Sequence, residues 1–154
     1  MDKPAPLPSV SSSVCYKNPK AALRWLEQAF GFEPSVVMLT PNDEIAHSEM
    51  RFGDGVVMVA GEWSPLHKSP ASVDGTNTQT IHVQMKDDID AHCERARKAG
   101  AKIVREPETQ FYGDRTYRAE DPEGHVWSFG QTVKQMTPDE WDAAMPGLKT
   151  KARL

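Results

Sequence analysis

Only two cysteines, Cys15 and Cys93, occur in the 154 residues, too few for a disulfide framework, so the fold has to rest on a packed core with reduced thiols. No apolar run approaches the roughly 18 residues that cross a bilayer, which argues against a membrane-spanning helix. Residues 1–10, MDKPAPLPSV, have neither the charged start nor the apolar core of a signal peptide. Excess basic charge is missing too: the net charge is −4, with no long Lys/Arg run to meet nucleic acid or an anionic membrane surface. These absences predict a cytoplasmic protein with neither a nucleic-acid nor a membrane partner. What is present is ordinary globular composition, 38% hydrophobic and 26% charged, in a length that suits one domain.

The proline-rich residues 1–9 read as an extended lead-in. Residues 10–16 alternate as a strand, and Asn18 followed by Pro19 makes an N-cap and first helical position. Leu23, Leu26 and Phe30 then form an apolar stripe that stops at Gly31. Strands are predicted at about 33–40, 45–52 and 56–61, separated by the turn signals TPNDE and GDG. Residues 62–77 form a Pro/Ser/Gly-rich connection without periodicity. The pattern then restarts: a strand at about 78–86, a helix capped by Asp87 or Asp88 with Ile89, Cys93 and Ala96 on one face, Gly100 as its stop, and strands at about 102–106, 115–120 and 125–131. Both halves read β, α, β, β, β, and a step of 69 residues separates Gly31 from Gly100 and Gly55 from Gly124. The prediction is an α+β domain over 10–131, with module one at about 10–61 and module two at about 78–131. A tail over 132–154 carries the capping-box pattern Thr137-Pro-Asp-Glu140 ahead of a short helix that docks Trp141.

The doubled βαβββ order, with AALRWLEQAFGF after the first strand, AHCERARKAGAKIV at the matching place, and DPEGHVWSF at the end, resembles the vicinal oxygen chelate superfamily of glyoxalase I, bleomycin-resistance proteins, fosfomycin-resistance enzymes and extradiol dioxygenases. The resemblance implies an eight-stranded, cleft-forming, barrel-like sheet with helices outside, a small molecule bound inside, and a homodimer. In the family's metal enzymes four ligands come from the first and last strands of the two modules, leaving open positions for substrate oxygens. The matching positions are Ser11, Met58 or Val59, Thr80 or Ile81, and Ser128. None supplies imidazole, carboxylate or thiolate, so neither a metal nor another cofactor is expected, with a divalent ion kept as the minor alternative.

Strand alternation predicts which side chains face the cleft. Ile81, Val83 and Met85 should pack on the helices while Thr80, His82 and Gln84 face inward. Val14 and Tyr16 should be core, with Ser11, Ser13 and Cys15 inward. Met50 and Phe52 oppose His47, Glu49 and Arg51, and Tyr117 and Ala119 oppose Thr116, Arg118 and Glu120. The expected ligand-binding set is Ser13, His47, Glu49, Trp63, His82, Gln84, Tyr112, Arg118 and Ser128, with His82, Glu49 and His47 as candidate acid/base groups. Structural readings stand beside these: His47 and Glu49 as paired strand residues, His82 as a hydrogen-bonding cavity residue, Trp63 as a loop anchor, and Trp25 and Trp127 as core. His125 reads as a turn residue, and His67 and His92 join no constellation.

Three functions fit. The first is a metal-free protein that sequesters or carries a small organic molecule. The second is an enzyme of lyase, isomerase or dioxygenase type, using a metal site rebuilt from His47, Glu49 and His82, or the same groups as metal-free acid and base. The third is a module that senses a metabolite through its C-terminal helix.

Overall fold

The computed structural model describes residues 1–154. Its element order is β1 (Ser12–Tyr16), α1 (Pro19–Phe30), β2 (Glu33–Leu39), β3 (Ile45–Phe52), β4 (Gly55–Gly61), a single 3-10 turn at Pro70–Ser72, β5 (Thr80–Met85), α2 (Ile89–Lys98), β6 (Lys102–Thr109), β7 (Asp114–Glu120), β8 (Val126–Thr132) and α3 (Pro138–Ala144). The doubled βαβββ order is therefore present. The strands form two four-stranded mixed sheets, ordered β1-β4-β3-β2 and β5-β8-β7-β6, and the sheets do not close into a barrel.

Local chemistry sets the boundaries. The Asn18 side chain accepts from the Ala21 amide, Pro19 occupies the first turn, and Gly31 ends α1 in the left-handed region at φ 76°. Asp88, not Asp87, caps α2 by accepting from the Ala91 amide. β6 runs three residues past the expected end at 106, through Pro107. A proline is tolerated there because β6 is an edge strand, and its ladder to β7 slips between Arg105 and Glu108. Thr137 and Glu140 complete the capping box of α3, whose Trp141 is only partly buried and lies outside the main core.

One cluster of 20 buried residues spans both modules. It takes Val14 and Tyr16 from β1, Leu26 and Phe30 from α1, Ile89 and Cys93 from α2, and Tyr117, Trp127 and Phe129 from the second sheet. Polar contacts hold the modules in register along this seam. Arg95 donates to the carbonyls of Gln28 and Glu27, both at 2.8 Å, placing a cation on the carbonyl end of α1 where the helix dipole favours it. Trp25 Nε1 donates to the Ala99 carbonyl at 2.8 Å. His92 is buried between the modules: its Nε2 bonds the Phe30 carbonyl at 2.8 Å, so that nitrogen carries the proton, and Nδ1 accepts from the Tyr117 hydroxyl at 2.6 Å.

The strongest convergence lies in the β7–β8 turn. Asp121, only 6% exposed, accepts from the Tyr16 hydroxyl at 2.6 Å and the Trp127 indole at 3.1 Å through Oδ2, and from the Glu123 and His125 amides through Oδ1. Glu123 accepts from the amides of Lys17 and Asn18 at 2.6 and 3.0 Å and from the Ser69 hydroxyl at 2.6 Å. His125 Nε2 donates to the Cys15 carbonyl at 2.7 Å. The expectation of a plain turn histidine is thus corrected: His125 is buried and ties the two modules together. His92, expected to join nothing, is corrected in the same way.

This hairpin also explains a break in the internal repeat. Glu49 pairs with Met58 in module one and Arg118 with Ser128 in module two, so the 69-residue step through the third strands becomes 70 in the last. The extra residue lies in the turn that carries Asp121 and Glu123. Gly55 starts β4 while Gly124 is a turn residue at φ 92°, so their spacing in sequence is not a structural match.

Asp121→Ala strips the buried Tyr16 and Trp127 donors of their acceptor. It is expected to lower stability by about 3 kcal/mol in a urea titration followed by tryptophan fluorescence; a loss below about 1 kcal/mol would show that the clasp is dispensable. Burial, reinforced by the nearby Arg95 charge, lowers the His92 pKa below its ordinary 6.5. The folded state then prefers neutral imidazole, so this stability is complete above the unfolded value and is lost as pH falls below it. Between about pH 7.5 and 5.5 the wild type should lose stability more steeply than His92→Gln, read as urea midpoints.

Candidate functional site

Side chains on the sheet faces away from the helices form transverse rows fixed by the ladders. In module one Ser13 pairs with Met58 and Met58 with Glu49, while Glu49 faces Val36 on β2. In module two His82 pairs with Ser128, Ser128 with Arg118, and Arg118 with Arg105. The alternation expected from sequence holds for Val14, Tyr16, Val83, Met50, Tyr117 and Ala119, which are buried, and for Ser13, His82, Gln84 and Arg118, which are exposed, whereas Cys15 and Glu49, expected on the inward face, are buried as well.

Each row holds a bonded group. His47 Nε2 and Glu49 Oε1 lie 2.9 Å apart, with Glu49 9% exposed. His82 bonds Ser128 Oγ through Nδ1 at 3.1 Å and Gln84 Oε1 through Nε2 at 2.9 Å. Arg118 enters no hydrogen bond or ion pair, unlike Arg105, which pairs with Glu108. Arg51 reaches the Ala5 carbonyl at 2.6 Å, so the N-terminal lead-in is held against module one.

Two cavities of about 340 Å³ each flank the seam between modules. One is lined by Ser13, Cys15, His67, Lys68, Asn77 and His125, among others. The second lies beside His82 and Gln84, with Phe32, Phe52, Val56 and Val57 supplying an apolar wall. Trp63 borders neither cavity; it is exposed and stacks on His67 with centroids 3.8 Å apart. Tyr112 packs edge-on against Phe111 in the β6–β7 turn, away from both. The residues expected to form one cleft therefore fall into a His47–Glu49 pair, a Gln84–His82–Ser128–Arg118 group, and two separate aromatics.

The ladder also locates the positions matching the family's ligands. Ser11 precedes β1 and Thr80 pairs with Val126, so the residues beside Met58 and Ser128 are Ser13 and His82. These four positions offer a single imidazole and no carboxylate, a donor set that does not fit a zinc, iron or manganese centre. No three His, Cys, Asp or Glu side chains come together at metal-holding spacing, so His47, Glu49 and His82 do not assemble the rebuilt site expected as an alternative.

The fold and the repeat together point to one family, and the family model of the Glyoxalase/Bleomycin resistance protein/Dioxygenase superfamily matches residues 10–129. The chain belongs to this superfamily. It is 32% identical over 142 residues to an uncharacterized protein of Mycobacterium bovis, covering 90% of this chain and 92% of that protein. Its structure resembles that of TioX from Micromonospora sp. ML1, with 31% identity, a TM-score of 0.66, and coverage of 80% and 97% of the two chains. A glyoxalase/bleomycin resistance protein from Streptomyces sp. CB03234, 18% identical with a TM-score of 0.61 over 79% and 97% of the chains, shares the fold. No helix of this superfamily member is long and apolar enough to cross a membrane.

The groups that sequence reasoning missed are Asp121 and Glu123, which act on the other module. Their signal was present in DPEGH, an acidic turn longer than its counterpart GDG, but it has meaning only once the partner amides are located. The thiols offer no reactive nucleophile. Burial raises the Cys15 pKa, with Glu62 adding to it, and burial pushes Cys93 up to about 11. Both should resist a disulfide reagent in the native state near neutral pH and react in urea; fast native reaction of Cys15 would contradict this burial.

Proposed function

We propose that this superfamily member binds a small organic molecule, carrying or sequestering it without a metal ion, on the sheet faces that hold Ser13, His47, Glu49, His82, Gln84, Arg118 and Ser128. The observation that carries the reading is the His82–Ser128–Arg118 row: a hydrogen-bonded imidazole and hydroxyl at two positions matching the family's ligands, with an unpaired guanidinium next to them. Arg118 favours a ligand bearing a carboxylate, sulfonate or phosphate, since a planar guanidinium can meet two oxygens of such an anion through two parallel donors. The nearby apolar cavity suits an attached hydrocarbon or aromatic part.

A homodimer in the cytoplasm is part of the same proposal. Val37, Met38 and Leu39 on edge strand β2 are each about half exposed, apolar surface that a second copy would cover. A second reading, a metal-free acid/base enzyme, draws support from the His47–Glu49 pair, where a carboxylate orients an imidazole.

The aromatic sulfonate 1-anilinonaphthalene-8-sulfonate is a suitable probe. It is expected to bind saturably and raise the melting temperature, with Arg118→Ala weakening binding about tenfold or more. Elemental analysis should find no stoichiometric metal after gentle purification. Tightly bound metal at one per chain, or affinity indifferent to Arg118→Ala, would sink the reading.

A further inference from the structure

The hydrogen bonds around Ser128 form a directed chain whose sense is set at its far end. Gln84 Nε2 lies 3.2 Å from Asp114 Oδ2 and 3.2 Å from Thr132 Oγ1. A carboxylate only accepts, so the amide nitrogen must face Asp114 and the amide oxygen must face His82. That oxygen in turn only accepts, so His82 Nε2 carries the ring proton. Nδ1 of the neutral ring is then a lone pair, and the Ser128 hydroxyl, 3.1 Å away, donates to it. A serine hydroxyl aimed at an imidazole lone pair, with the other ring nitrogen held by an amide oxygen, is the arrangement that activates a nucleophile.

Two further observations mark this chain as built. Gly130 sits opposite Gln84 in the ladder, and its backbone angles do not require glycine. A Cβ there would lie 2.9 Å from His82 Cε1, 3.0 Å from Gln84 Oε1 and 3.1 Å from His82 Nε2. The glycine is accounted for by the space that the His82–Gln84 contact occupies. Arg118, the ladder partner of Ser128, is exposed and unpaired, a cation beside the serine.

We propose that Ser128 is a nucleophile for acyl transfer from small organic esters, with His82 as its general base, Gln84 as a positioning residue, and Arg118 facing the developing oxyanion. Ser128 Oγ bonds to the ester carbonyl carbon as its proton passes to His82 Nδ1. The carbon–oxygen bond to the alcohol breaks, and His82 returns the proton to the leaving oxygen. Water then attacks the acyl-serine, giving a proton to Nδ1, and His82 restores it to Ser128 as the acyl group departs. Ester and water become acid and alcohol, with no redox change. The apolar cavity beside His82 is where the acyl or alcohol hydrocarbon sits.

The inference rests on the sheet face being a small-molecule site, and two probes keep the readings apart. With p-nitrophenyl acetate, wild type should hydrolyse at least about 100-fold faster than Ser128→Ala, and His82→Gln should lose about 100-fold or more. Gln84→Ala should lower kcat with KM within about twofold, since it acts through His82. A fluorophosphonate should add one equivalent, located by peptide mass mapping at Ser128, with melting curves showing each variant folded. Equal hydrolysis by wild type and Ser128→Ala, or labelling spread over surface serines, overturns the nucleophile. If wild type still binds 1-anilinonaphthalene-8-sulfonate in that case, the binding reading survives alone.

Discussion

The buried Asp121 carboxylate is the contact on which the arrangement of the two modules depends. A carboxylate out of water is costly unless its lone pairs are met. Four donors meet it here: a phenol from β1, an indole from β8, and two amides of its own turn. One consequence is registered in Tyr16, whose pKa stands well above the ordinary phenol value because of burial and the Asp121 charge, so the hydroxyl remains a donor. The same turn sends Glu123 to the start of α1 and His125 to the Cys15 carbonyl. Three consecutive odd-numbered side chains of module two thus fix the exit of β1 in module one. His125 also lines one of the cavities beside the seam, next to Ser13 and Cys15 of that strand.

Much of the fold was legible because period and punctuation agree. Asn18-Pro19 and Gly31 bound α1 chemically, and alternation in β1, β3, β5 and β7 separated core from sheet face without error at Tyr16, Met50, Val83 and Tyr117. The register between strands was less legible. It depends on a turn one residue longer in module two than in module one, and a repeat measured on glycines alone conceals this. The first strands carry a separate offset: Ser11 and Thr80 are correctly equivalent at the 69-residue step, but the ladders put Ser13 and His82, two residues later, beside the last strands.

The candidate site was readable as a list and not as a grouping. His47 with Glu49, and His82 with Gln84, are two residues apart on single strands, so alternation alone places each pair on one face. The bond from His82 to Ser128 crosses 46 positions and requires the parallel β5–β8 ladder. Trp63 and Tyr112 were proposed from loop position, and loop position does not determine where a side chain comes to rest. His92 sits on the same helical stripe as Ile89, Cys93 and Ala96, so spacing alone places it on the buried face; what spacing hides is its acceptor, the Phe30 carbonyl of the other module.

Duplication gave both halves one backbone and left their side chains free to diverge. The equivalent rows are Ser13, Met58 and Glu49 in the first module and His82, Ser128 and Arg118 in the second. One row carries an acid whose imidazole partner is two residues away on the same strand; the other carries a cation and an imidazole that meets a hydroxyl. A symmetric pair of rows would repel a ligand bearing one charge at both ends or attract it equally at both. On the proposed binding role the two rows ask for different groups, an anion at Arg118 and a hydrogen-bond donor at Glu49. Ser128 stands beside the cationic end, where an ester carbonyl next to an anionic group would come to lie. At position 128 the neighbours His82 and Arg118 are ones that a serine hydroxyl accommodates directly, as an imidazole hydrogen-bond partner on one side and a cation on the other.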